Sequence, residues 1–531
     1  MKRTLLVSLT ALSLLAVSTK GMAQAPVLGS ASTFALFSTN GAVSNTGRSQ
    51  LTGNVGTNNG ASTAFGNVNG VMHDNDGAST LAASDLLIAY NQLDATIPTS
   101  FPAPLLGNGQ ILTAGIYSIG ESATLDGILT LNGQNDANAV FIIQVEGAFS
   151  STAASKVMLT NNAQACNVFW KIEGLVSLAS QTEMKGTIIA NNAAITLASG
   201  VIVEGRVLST TGAVTIDGST VATPIGCGSL LLTGPAAPVL ASTECYAIFS
   251  GNGEVTNNGV SRVTGDVGTN MGLTTGFDDL NVTGTIHDNP DTSTAQCASD
   301  LGVVYNYLNL LPADIELLYP ADFGNNLVLT PHTYLLNAAT VLTGTITLDA
   351  QDNANAVFVL KINGAFSTGT YAEVVLLNGA QQKNVYWKIE GAVQISDYTN
   401  IKGTIVCNNG AINLSTGVTL DGRALTTNGG LITNAVVATM PVGCTTAGID
   451  IATKNTPVTF YPNPFTNVVQ LVNATGNSSE LKIYNMLGKL VMSRIVTGAT
   501  ATLETGFTPG MYFYSLVDET GKVQTGKLMA K

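Results

Sequence analysis

A chain that writes one unit twice has to fold as two copies of one domain, and this repetition constrains everything else. The run Ala35-Leu36-Phe37-Ser38 through Thr52-Gly53-Asn54-Val55-Gly56-Thr57-Asn58 returns as Ala247-Ile248-Phe249-Ser250 through Thr264-Gly265-Asp266-Val267-Gly268-Thr269-Asn270. Further on, Val168-Phe169-Trp170-Lys171-Ile172-Glu173-Gly174 returns as Val385-Tyr386-Trp387-Lys388-Ile389-Glu390-Gly391. The copies also end alike, at Gly226-Cys227 and Gly443-Cys444, and the seam falls in Thr233-Gly234-Pro235-Ala236-Ala237-Pro238. Two domains are expected, over 25–227 and 239–444.

Within each copy, runs of four to seven residues alternate apolar and small polar side chains between Gly, Asn and Asp corners. Examples are Gly127–Leu131, Ala139–Ile143, Val168–Ile172 and Gly186–Ala190. Their spacing of roughly 20 residues fits coils of a β-solenoid better than the longer strands of a sandwich. One helix interrupts each copy. Ser79 reads as the cap of a stretch with Ala82, Leu86, Ala89, Tyr90 and Leu93 on one face, and Thr294, Ala298, Leu301, Tyr305 and Leu308 repeat it. From about Asn455 the texture changes to runs such as Leu481–Tyr484 and Tyr512–Leu516, which predicts a small C-terminal β-sandwich over 456–531. The fold class is mainly β: two tandem right-handed β-helix domains, each with a long α-helix alongside, and that sandwich.

Lys2 and Arg3, an apolar run from Leu5 to Val17 and the exit Gly21-Met22-Ala23 read as a signal peptide over 1–23. The full chain is poor in charge: 10% of its residues are Asp, Glu, Lys or Arg, with a net charge of −13. No basic cluster exists to neutralise phosphates, which excludes nucleic acid as a partner.

In order, Asn54-Val55-Gly56-Thr57-Asn58, His73-Asp74, Ala139-Val140-Phe141, Asn167–Ile172, Lys185–Ile188 and Gly205-Arg206, each with its second-copy counterpart, resemble the microbial ice-binding protein family. That resemblance implies a discontinuous β-helix with a helix beside it and an ice crystal surface as partner. Tyr461-Pro462-Asn463-Pro464-Phe465, Ile483–Lys489 and Thr508-Pro509-Gly510-Met511-Tyr512 resemble the type IX secretion sorting domain. This implies the type IX machinery as a second partner and a secreted or surface-attached, monomeric product.

The family's ice-face signature is Thr, Ala or Gly, any residue, then Thr or Asn. Thr416-Gly417-Val418-Thr419 fits it, while Thr368-Gly369-Thr370-Tyr371 and Asp397-Tyr398-Thr399-Asn400 depart from it. The first copy offers Thr152-Ala153-Ala154-Ser155, Ser180-Gln181-Thr182-Glu183 and Ser199-Gly200-Val201-Ile202, a poorer set. The candidate ice contacts are therefore Thr368, Thr370, Thr399, Asn400, Thr416, Thr419, Thr152, Ser155, Ser180, Thr182 and Ser199. Thr is suited to such a surface because β-branching holds its hydroxyl and methyl in place before binding.

Other constellations read as structural. His73-Asp74-Asn75 and His287-Asp288-Asn289 lack a second ligand at a motif spacing, so turn hydrogen bonding is expected. Trp170 and Trp387 read as core. No catalytic site, metal or cofactor is expected. Cys166 pairs naturally with Cys227; Cys245, Cys297, Cys407 and Cys444 allow three connectivities, of which Cys245–Cys297 with Cys407–Cys444 is preferred. The alternative function is an adhesin or structural module that uses the same scaffold to bind a protein, a surface glycan or an exopolymer.

Overall fold

The computed structural model describes residues 23–227, 231–441, 458–473, 478–518 and 523–531. The expected leader, apart from Ala23, and Cys444 lie outside these residues.

Short strands that cannot bury a face alone stack in parallel and wind into a three-sided coil. In the first copy an eight-stranded parallel sheet forms one side, ordered Ser62–Thr63, Val43–Thr46, Val214–Asp217, Ile195–Leu197, Val176–Leu178, Phe149–Ser151, Ala123–Asp126 and Leu105–Gly107. We call it the ladder face. Its order shows that the stack is discontinuous: Leu36 pairs with Val207 and Val43 with Val214, so the first coil lies on the last. The chain must then travel to the far end of the stack to begin again. Helix α1 (Gly77–Asp94) makes that journey, its 18 residues spanning about 27 Å against about 34 Å for eight stacked strands. Helix α2 (Thr292–Leu310) does the same in the second copy, whose ladder face runs from Thr274–Thr275 to Phe323–Gly324.

Each helix starts three residues earlier than the cap read from the sequence. Asp76 is the N-cap and accepts from Ser79 N at 2.8 Å, while Ser79 Oγ accepts from Asp76 N at 2.9 Å, a reciprocal capping box; Asp291 and Thr294 repeat it. The apolar stripe of α1, with Ala82, Leu86 and Leu93, buries against Phe37, Ile142, Phe169, Ile189 and Leu208 on the helix-side face. Lys171, with only 3% of its side chain exposed, pins the helix end by pairing with Asp94 at 2.7 Å and Glu173 at 2.9 Å. Burial raises the Glu173 carboxyl, but hydrogen bonds from Asn191, Tyr90 and Lys171 outweigh it and hold the group below the usual carboxylate range.

The third face turns directly into the helix-side face within the single strands Glu183–Ala190 and Ile202–Ser209. Glycine makes this possible: a Cβ on Gly205 would stand 1.8 Å from Gly186 O, and one on Gly422 1.8 Å from Gly403 O. Trp170 and Trp387 fill the interior as expected, fully buried, with indole N–H donated to Lys185 O and Lys402 O.

The two copies are joined by a buried polar contact. Asn69 Nδ2 donates to Thr330 Oγ1 at 3.0 Å, and Tyr334 OH donates to Asn69 Oδ1 at 2.7 Å. Around it, Arg48 meets Asp322 at 3.4 Å and Gln50 Nε2 donates to Asn325 O at 3.3 Å. Thus the edge between ladder and third faces in one copy adjoins the equivalent edge of the other. The C-terminal unit packs a three-stranded antiparallel sheet on a four-stranded one around Leu471, Leu481, Ile483, Leu503 and Leu516.

Cys166 and Cys227 are bonded as expected. The preferred pairing in the second copy is overturned: Cys297 and Cys407 are free and buried, and Cys245 is disulfide-bonded to a partner outside the described residues. The reason is direction. Cys297 points under α2 into the apolar core with Tyr246 and Phe249, and the Cys407 thiol faces inward, donating to Gly391 O at 3.0 Å.

Two outcomes follow from this packing. Gly205→Ala should cost about 3 kcal/mol or more, read as a lowered denaturant midpoint for the β-helix by circular dichroism. Burial pushes the Cys407 thiol up to about 11 and Cys297 higher still, so neither should react with a thiol reagent at pH 8 in the folded protein. Both should react after denaturation without reduction.

Candidate functional site

Of the three sides of the first β-helix, one is covered by α1 and one is charged. The third face carries Lys156–Glu183 at 2.6 Å and Lys185–Glu204 at 2.7 Å in neighbouring strands. The ladder face is different. Its central outward positions, followed strand to strand, are Thr63, Ser44, Thr215, Thr196, Ser177, Ser150 and Thr124, ending at Leu105. Seven hydroxyls therefore stand in register at about 4.8 Å intervals. Two residues earlier on each strand, the same side shows Ala42, Ala213, Ala194, Leu175 and Ala148. Neither column holds a Lys, Arg, Asp or Glu.

In four of its strands this ladder arises because an apolar residue points inward on both sides of one outward Ser or Thr: Val214-Thr215-Ile216, Ile195-Thr196-Leu197, Val176-Ser177-Leu178 and Ala123-Thr124-Leu125. Sequence reading missed it by searching for a four-residue motif. The signal was the apolar-hydroxyl-apolar triplet recurring in four of the seven coils. In the second copy the corresponding column is Thr275, Thr256, Ile432, Asn413, Gln394, Ser367 and Val341. Its hydroxyls are interrupted; the column beside it is small over five coils, with Gly430, Ala411, Ala392, Ala365 and Ala339, and ends in the exposed Glu254 and Leu273.

The residues picked from the motif lie at the edge of the ladder face, and the structure divides them. Four face inward and cannot meet a surface: Ser155, Thr182 and Thr399 are fully buried and Thr368 is 5% exposed. The corner turns on a positive-φ residue, Gly417, Tyr398 or Tyr371 in one copy and Gly200, Gln181 or Ala154 in the other, and the next residue points into the coil. There Thr399 meets Thr368 at 3.0 Å and Thr182 meets Ser151 at 2.7 Å. The coil equivalents of Thr416–Thr419 are Asp397–Asn400 and Thr370–Glu373, so Thr368 was read two residues out of frame; Thr152 was read one out. Thr152, Ser180, Ser199 and Thr370 are exposed, and Asn400, Thr416 and Thr419 half-buried. Over Gly417 stand two stacked rings, Tyr371 and Tyr398, centroids 5.1 Å apart.

The histidines serve the helix starts. His73 Nδ1 lies 2.7 Å from Asp76 Oδ2 and His287 Nδ1 2.6 Å from Asp291 Oδ2, so each pairs with the N-cap carboxylate rather than with its sequence neighbour. Asp74 instead accepts from Ser62 N and Oγ.

Residues 37–222 and 249–437 match the family described as Ice-binding-like. The chain belongs to this family. It is 38% identical over 178 residues to an ice-binding protein of Nostoc sp. and 30% identical over 255 residues to ice-binding protein 1 of Shewanella frigidimarina, spanning 65% and 28% of their lengths. To an ice-binding protein of Colwellia sp. it is 31% identical, covering 70% of that protein. A crystal structure of an ice binding protein from an Antarctic Flavobacteriaceae bacterium shares 64% identity, with TM-score 0.79, over 79% of this chain and all of that one. The family is one of ice-binding proteins, not of enzymes. Residues 459–531 match the secretion system C-terminal sorting domain, which marks the chain as secreted or held at the cell surface.

Proposed function

We propose that the protein is an extracellular ice-binding protein, acting as a non-enzymatic monomer, whose ladder faces adsorb to ice. The observation that carries this reading is the uncharged hydroxyl ladder Thr63 to Thr124 on the one side of the first β-helix free of both helix and ion pairs. Thr methyls and hydroxyls held by a stiff χ1 in a regular sheet present anchored water in a repeating array with little left to order on binding. The ion pairs of the third face argue against it as a contact, because charged groups keep their own hydration. Adsorbed molecules would leave ice to grow only as curved fronts between them, which slows growth and recrystallisation.

A second reading, binding of a surface glycan, is favoured by Tyr371 and Tyr398, stacked while 69% and 52% exposed, since exposed aromatic rings suit sugar faces.

The test is ice affinity and thermal hysteresis of the full chain and three variants. Thr196→Tyr, at the ladder's centre, should lower hysteresis several-fold with an unchanged melt. Thr130→Tyr, outward on the third face, should leave it unaltered. Leu175, 49% exposed between Ala148 and Ala194, should when changed to Ala raise activity. Exclusion of the folded chain from ice, with retention on a glycan array, would sink the ice reading.

A further inference from the structure

The two copies differ at a buried arginine that borders a cavity in each, and the first copy's arginine makes one hydrogen bond fewer. Arg206 and Arg423 occupy equivalent positions, paired in register with Thr187 and Thr404. Each donates Nη1 to that threonine hydroxyl and Nε to a backbone carbonyl of the short turn that opens its domain, Ser32 O or Glu244 O. Those turns, Gly29–Thr33 and Ala241–Cys245, also correspond, so Ser32 and Glu244 are counterparts. In the second copy Arg423 Nη2 closes a further bond to Glu244 O at 2.8 Å, and the Glu244 carboxylate lies near enough to favour the guanidinium's charge.

The first copy has Ser in place of that carboxylate. Arg206 is 8% exposed, its Nη2 has no acceptor among the described residues, and no carboxylate offsets its burial, which pulls the guanidinium down to about 10. A buried cation without a counter-charge is costly, so something is expected to answer it. Arg206 also lines a cavity of about 660 Å³. The lining is mixed: Leu28, Phe169, Ile225 and Leu231 supply an apolar part beside Ser32, Asn167 and Thr223, and Gln351 of the second copy closes one side.

We propose that this cavity is a binding site for a small monocarboxylate with a short apolar body, its carboxylate accepting from the Arg206 Nη2 that has no acceptor among the described residues. An Arg fork matches a carboxylate in shape and charge, and the apolar walls would cover the hydrocarbon part. The site is separate from the ladder face and independent of whether ice is bound.

Titration calorimetry of the full chain with sodium butyrate, against sodium chloride and sodium phosphate at equal ionic strength, tests this. One saturable site for butyrate and none for chloride is the expected result. Ser32→Glu, which builds the second copy's own carboxylate into the first, should weaken butyrate at least tenfold and raise the melting temperature. No saturable heat with butyrate, or binding unchanged in Ser32→Glu, overturns the proposal, and phosphate binding in place of butyrate overturns the carboxylate class.

Discussion

Parallel pairing in register, coil upon coil, is the constraint on which the rest of this molecule depends. Because each strand meets the next residue for residue, a side chain chosen once is displayed again a strand spacing away, inward or outward. The interior thereby becomes stacks of Val, Ile and Leu capped by Phe149 and Trp170, and one exterior side becomes a line of hydroxyls. The same pairing explains the helix. Laying Val43 on Val214 closes the first coil onto the last, so the chain must return along the whole stack, and an amphipathic helix is the shortest covered path.

What the sequence made legible follows from that rule. Val168–Ile172 is a strand with the limits read from alternation, because a strand packed on both faces is bounded sharply by its corners. The helices were legible from their stripes, but their starts were misplaced by three residues: Ser79 and Thr294 do belong to caps, yet as the N3 partners of Asp76 and Asp291. Local hydrogen bonding of this kind is symmetric in the residue types it uses, and spacing alone does not say which partner is outside the helix.

The candidate site was legible only at its edge. Thr416-Gly417-Val418-Thr419 was framed rightly because Gly417 marks the left-handed corner, whereas in the neighbouring coils Tyr398 and Tyr371 occupy that conformation and give no sign of it in sequence. Without the corner, Thr368 and Thr399 look like surface threonines although they hydrogen-bond each other inside the coil. The hydroxyl ladder escaped for a different reason. Its members are separated by about 20 to 170 residues, and their adjacency comes from a closure that only the pairing of first and last coils reveals.

Duplication has let the two copies divide the same demands differently. The first keeps the more regular hydroxyl ladder and tolerates Leu175 beside it; the second keeps a column of small residues over five coils and loses the ladder at Ile432 and Gln394. Joining them through Asn69, Thr330 and Tyr334 fixes one copy against the other with fully buried hydrogen bonds, which cost more to break than exposed contacts of equal number. A rigid joint matters to adsorption because a second face helps only if it reaches the surface without further ordering once the first has landed. The hydrogen bond from Gln50 to Asn325 extends the joint beyond this buried contact. Under the proposal that both ladder faces meet ice, a joint of this kind spares the second array the ordering cost that a flexible linker would impose.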